Sequence, residues 1–157
     1  MRRTVSIFLA LMLTLLFAMS AAADTGHFHS AVSSVNSSGA LVVNFDERGL
    51  GSADVDYTLT ANATALYACI NGGGNHPQAA NKESFQGQVS AGGSFEPKNG
   101  RVIASLVTGP LSSGSFTCPG GQRLLLASVS YTNIVLTDIT NGVSIRPADV
   151  SRVFFNV

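Results

Sequence analysis

The segment Val55-Asp56-Tyr57-Thr58-Leu59-Thr60-Ala61-Asn62-Ala63-Thr64-Ala65-Leu66-Tyr67-Ala68-Cys69 decides the fold. Val55, Tyr57, Leu59, Ala61, Ala63, Ala65, Tyr67 and Cys69 recur at every second position, while Asp54, Asp56, Thr58, Thr60, Asn62 and Thr64 fill the places between. Successive side chains of a strand point to opposite faces, so this period buries one face and wets the other. Antiparallel sheets allow that division. The run Ala61, Ala63, Ala65 marks where another sheet or loop can come close, or where so long a strand bends.

A second long segment, Gln122 to Asp138, carries Leu125, Ala127, Val129, Tyr131 and Val135 on one face. Leu124, Leu126, Ile134 and Leu136 lie on the other, which predicts a central strand with both faces partly covered. Shorter strands are expected over Phe28–Asn36, Ala40–Phe45, Ser84–Ala91, Arg101–Thr108 and Asp149–Asn156. Turns separate them at Asn36-Ser37-Ser38-Gly39, at Pro97-Lys98-Asn99-Gly100 and at Asn141-Gly142. Glu96 and Arg101 flank the second turn and are placed to pair across it. No window has helical periodicity with a cap before it. About seven strands predict an all-β, single antiparallel β-sandwich of immunoglobulin-like architecture, with a β-barrel as the alternative. The immunoglobulin pattern of mid-strand cysteines around a buried Trp is missing, since the chain has no Trp.

The only cysteines are Cys69 and Cys118, an even pair that reads as a disulfide in an exported chain. Closing that loop stabilises the fold by about 4 kcal/mol in the chain-entropy treatment. Cys69 ends the first long strand and Cys118 precedes the second. A bridge makes them antiparallel neighbours, with Val55–Tyr57 expected near Tyr131–Asn133.

Export is expected from the first residues. Arg2 and Arg3 precede an apolar run from Val5 to Met19, and Ala21-Ala22-Ala23 offers small residues for cleavage before Asp24. About 15 apolar residues fall short of the ~20 a spanning helix needs. The expected organisation is a removed signal peptide, 1–23, and one β-sandwich domain, 24–157, secreted to the extracellular space. No membrane span is expected after Met19. Of nine Lys plus Arg, Arg2 and Arg3 leave with the leader, against nine Asp plus Glu. Such a balance offers no electrostatic footprint for nucleic acid. Charged residues make up 11% of the chain, against ~25% in ordinary soluble domains, so Ser, Thr, Asn and Gly must supply solubility.

Three clusters are candidates for chemistry. His27 and His29 would share a strand face, spaced for a transition-metal ion. Asp46-Glu47-Arg48-Gly49, with Asp54 and Asp56, reads as a polar hairpin turn that could hold Ca²⁺, although the D-x-D-x-D-G spacing is missing. Residues 71–83 form a loop longer than a hairpin needs, in which Asn71, Asn75, His76, Gln78, Asn81 and Lys82 offer hydrogen bonds to a sugar or peptide. Its triple glycine lacks the G-K-[ST] of a phosphate loop. Neither a nucleophile motif nor a motif-placed carboxylate pair is present, so the expectation is a non-enzyme without cofactor. Asn36 and Asn62 stand in N-x-[ST] sequons, which matter only in a eukaryotic host.

The strings Cys69…Gly72-Gly73-Gly74-Asn75-His76-Pro77…Asn81-Lys82, Pro97-Lys98-Asn99-Gly100-Arg101, Phe116-Thr117-Cys118-Pro119-Gly120-Gly121-Gln122 and Val129-Ser130-Tyr131-Thr132 resemble a group of small secreted β-rich proteins of soil microorganisms. The resemblance covers nearly all of the exported part and implies export, but no site residues. The function expected is an extracellular binding or surface-interaction module, with an unknown ligand or surface component as partner and a glycan among the candidates. A structural, envelope-associated protein is the alternative, and a small secreted hydrolase the third.

Overall fold

The computed structural model describes residues 26–71 and 81–157. The expected leader, and Asn75, His76 and Gln78 of the 71–83 loop, lie outside the described residues. Within them the chain forms β1 (His27–Val35), β2 (Leu41–Arg48), β3 (Val55–Asn71), β4 (Lys82–Phe95), β5 (Arg101–Thr108), β6 (Gln122–Asp138), β7 (Val143–Ile145) and β8 (Val150–Val153). One antiparallel sheet has the order β1-β2-β5; the other runs β4-β3-β6, with β7 and β8 both on the far side of β6. Among the described residues the two sheets share no ladder. The fold is an antiparallel β-sandwich and not a closed barrel. Eight strands replace the seven expected, because β7 is too short to show an alternation.

The inward face of β3 is the one its period predicts: Val55, Tyr57, Leu59, Ala61, Ala63 and Ala65 are all buried. Leu41, Val43 and Phe45 of β2 and Val102 and Leu106 of β5 close on them from the smaller sheet. Each such side chain contributes about 1.5–3 kcal/mol on burial. At the Val55 end the rings of Phe28, Phe45, Tyr57 and Phe95 meet edge-to-face or tilted, 4.7–6.4 Å between centroids. Ala63 pairs with Tyr131, so the small side chain makes room for the ring beside it. The Tyr131 hydroxyl donates to Gly39 O at 2.6 Å.

Three expectations need correction. First, β6 is central, but its apolar residues do not divide between two faces as expected. Its register against β3 slips between Thr60 and Asn62 and again between Leu66 and Tyr67, each time with an extra residue in β6. At the first slip Asn133 adopts φ 51°, a left-handed conformation Asn tolerates, and its N–H donates to Asp149 Oδ1. A β-bulge reverses the parity of the residues beyond it. Tyr131, Ile134 and Leu136 therefore all face the same core. Second, Tyr57 pairs with Asp138, not with the Tyr131–Asn133 region. Cys118 precedes β6 and the two long strands are antiparallel neighbours, as expected, but the two slips, and not the bridge, set which residues of their far ends pair. Third, Asp46, Glu47 and Arg48 are no hairpin turn; they continue β2, and the parity of Leu41, Val43 and Phe45 carries Glu47 inward to complete burial.

A β3 of 17 residues spans about 55 Å and a β2 of eight only about 25 Å, so the small sheet cannot cover the large one. The overhang is roofed by residues 109–121. Tyr67, half-buried, donates its hydroxyl to Leu111 O at 2.8 Å and sets its ring 6.0 Å from Phe85. The Cys69–Cys118 disulfide, Cα–Cα 5.5 Å, pins this roof to the sheet.

Candidate functional site

The feet of the 71–83 loop are tied into the fold. Cys69 N donates to Asn81 O at 3.0 Å, and Gln122 Nε2 donates to Asn71 Oδ1 at 2.8 Å. Lys82 Nζ donates to Val157 O at 3.3 Å. Asn71 and Lys82 thus direct polar atoms to the chain itself, on the base that the disulfide fixes.

His27 and His29 are exposed on β1, and His29 is the extra residue where the register slips between Phe28 and Ser30. Asp54 and Asp56 are exposed, apart from Asp46 in role: Asp46 is committed to two arginines. Among the described residues no group of three His, Cys, Asp or Glu is placed to hold a metal ion. Asn36 Oδ1 accepts from Ser38 N, Ser38 Oγ and Ala40 N, which makes it the staple of its own turn. Asn62 is exposed on the outer face of β3.

At the β4–β5 turn a surface cleft of about 520 Å³ is lined by Phe95, Glu96, Lys98, Arg101, Val102 and Ile103. Arg101 does not pair with Glu96 across the turn as expected. Because Arg48 and Arg101 are cross-strand partners, both reach Asp46. Arg101 Nε and Nη2 bond the two Asp46 oxygens at 2.8 and 2.7 Å, and Arg48 Nη2 lies 2.9 Å from Oδ2. The Arg101 guanidinium, aided by Arg48, holds the Asp46 carboxyl well below its usual range. Both arginine heads remain partly in water, and of the two Arg101 lines the cleft.

The outer face of the larger sheet has a different chemistry. Residues that face away from the core on β4, β3 and β6 line up in ranks: Gln88–Asn62–Thr132, Gln86–Thr64–Ser130 and Gly92–Thr58–Thr137. Ser90 and Thr60 form a further rank with Val135, and Ser144 and Ser151 extend two ranks onto β7 and β8. Neighbours across strands stand about 4.8 Å apart, and ranks about 6.7 Å apart. The result is a grid of hydroxyl and amide groups without a charged side chain; Asp56 and Lys82 mark its two ends. Thr137 Oγ1 and Ser144 Oγ are 2.9 Å apart and share a hydrogen bond. The sequence signal for this grid was present in Thr58, Thr60, Asn62 and Thr64, but its partners could be named only once the register was known.

Among the described residues every Phe and Tyr is buried or half-buried, so no ring is offered as a stacking platform. Likewise, among them, no helix is long and apolar enough to cross a membrane. Compared with protein-family models, with curated proteins and with solved structures, the chain matches none.

Proposed function

We propose that the protein is an extracellular surface-interaction module that lays the outer face of its larger sheet on a neutral polysaccharide. The observation that carries this reading is the uncharged grid of Ser, Thr, Asn and Gln on β4, β3 and β6. Each group is a donor, an acceptor or both, as are the hydroxyls of a neutral sugar polymer. A face free of charge docks on an uncharged chain without leaving an ion desolvated and unpaired. Single hydrogen bonds add only about 0.5–1.5 kcal/mol each, so retention must come from area and repetition rather than one deep pocket. The disulfide and the leader-like first residues support an oxidising, exported setting.

A second reading rests on the cleft at the β4–β5 turn, where Lys98 and Arg101, against the single acid Glu96, favour a small anionic ligand. The two readings differ in salt dependence, because exposed charge pairs are screened and neutral hydrogen bonds are not. The purified protein would be tested for retention on cellulose, chitin and β-1,3-glucan from low salt to 1 M NaCl. Salt-insensitive retention that Thr60→Glu and Thr64→Glu abolish is the expected result. Failure to bind any of the three, or binding untouched by both variants, overturns the proposal; salt-labile binding lost in Lys98→Ala favours the cleft.

A further inference from the structure

We infer that Glu47 keeps its proton in the folded protein, where it is sealed against Asp138, which makes the Val55 end of the sandwich a latch that acid closes and alkali loosens. Glu47, on β2, and Asp138, on β6, belong to different sheets and are both 0% exposed. Asp138 is the cross-strand partner of Tyr57 of β3, itself 1% exposed, and a Cβ added at Gly26 would touch both Glu47 Oε1 at 2.9 Å and, at 3.6 Å, the Asn141 Nδ2 that binds Asp138. Neither Glu47 oxygen has a hydrogen-bond partner of ordinary geometry among the described residues, and neither has the Tyr57 hydroxyl. Asp138 is supplied differently: Asn141 N donates to its Oδ1 at 2.8 Å and Asn141 Nδ2 to its Oδ2 at 2.6 Å.

Two ionised carboxylates without a cation cannot be sealed together in a dry core at tolerable cost. Asp138 has two donors from Asn141. Glu47 has no donor in bonding geometry and suits the proton, with Asp138 and Tyr57 as its polar neighbours. Burial pushes the Glu47 carboxyl from its ordinary 4.5 to about 7; Tyr57 opposes that rise and Asp138 adds to it.

Among the described residues no other charge is at hand to replace the proton. On β2 itself, Asp46 and Arg48 project to the opposite face, where they pair with each other and with Arg101 of β5. The cross-strand neighbours of Glu47 are Phe28 on β1 and Val102 on β5. From the chain entering β1, Gly26 comes so close that an added Cβ would lie 2.9 Å from Glu47 Oε1, and it brings no charge. His27 and His29 are exposed.

Linkage gives the sign. Below pH 4.5 the Glu47 carboxyl is protonated whether the chain is folded or not. Between 4.5 and about 7 the unfolded chain loses that proton first, so folding weakens as pH rises; above that the loss is complete. This inference is independent of the polysaccharide reading, and its test needs no ligand.

Thermal melts of the full exported protein from pH 4.5 to 8.5 would be compared with Glu47→Gln. The wild type is expected to lose roughly 5–10 °C of Tm between pH 4.5 and 7 relative to the variant, and the variant to be the more stable at pH 8. Subtracting the two curves removes the contribution of other groups. Should Glu47→Gln not fold, carboxyl ¹³C titration of the wild type decides, with Glu47 expected to stay protonated at pH 6. Curves that run parallel, or a Glu47 carboxyl already ionised at pH 6, overturn the inference. A specific rise in Tm at pH 8 on adding Na⁺ or Ca²⁺, absent from Glu47→Gln, overturns it in favour of a bound cation.

Discussion

The two ends of β3 are held by different physics. From Val55 to Ala65 the strand lies under the smaller sheet, and Leu59, Ala65 and their neighbours are sealed by side chains from across the sandwich. From Tyr67 to Asn71 the smaller sheet no longer reaches. A loop without strand structure, residues 109–121, takes its place, and a covalent bond keeps it there. The difference teaches what a disulfide is for in a small domain. Where two sheets can close on each other, apolar area suffices; where one sheet outruns its partner, the cover has little area of its own and needs an anchor.

The largest effect is expected at the packed end. Tyr57→Ala removes a ring in contact with Phe28, Phe45 and Phe95, and should cost about 3–5 kcal/mol in denaturant unfolding. A change under about 1 kcal/mol would mean that this end is not the main core.

Next comes the Cys69→Ser, Cys118→Ser double variant, expected to lose about 4 kcal/mol by the loop-entropy relation. Hydrogen exchange should show faster opening at Cys69–Asn71 and Gln122–Leu126, with the amides of the buried Leu59 and Leu136 unaffected. Uniform acceleration along β3 would erase the contrast between the ends.

Tyr67→Phe tests the roof without touching the bond. It deletes the hydrogen bond to Leu111 O and should cost about 0.5–1.5 kcal/mol, again sensed mainly at the overhang. The smallest effect is predicted for Arg101→Ala. Asp46 is held below its ordinary 3.8 chiefly by Arg101, so its contribution is present above that value and lost as pH falls beneath it. Without Arg101 the loss of stability below pH 4 should become shallower, while the neutral-pH melting temperature changes little. An unchanged acid limb would show that Arg48 alone suffices.

Much of the fold was legible in the order of residues. The limits of β5 and β6 agree with the expected segments, and β3 differs only in running on to Asn71. The period of two, the glycine-bearing turns and an even cysteine pair are local or pairwise signals that survive any tertiary arrangement. The candidate surface was less legible. The outward residues of β3 were visible as polar, but a grid exists only between strands, and the β3–β4 and β3–β6 registers set its ranks. Glu47 shows how chemistry can mislead pattern: the parity of Leu41, Val43 and Phe45 pointed inward, yet Asp46-Glu47-Arg48-Gly49 has the composition of a turn.

The sequence by itself determined where the long strands run and which face of β3 seeks a core, because side-chain direction follows from backbone geometry one residue at a time. Only the tertiary structure decided where the strands slip against each other and what lies over them. The bulge at Asn133, which turns two apparent apolar faces of β6 into one, depends on a left-handed residue whose N–H finds Asp149, sixteen positions away. The meeting of Glu47 with Asp138 depends on two sheets closing. Contacts of that range gain their energy only after the chain has collapsed, so no local pattern records them.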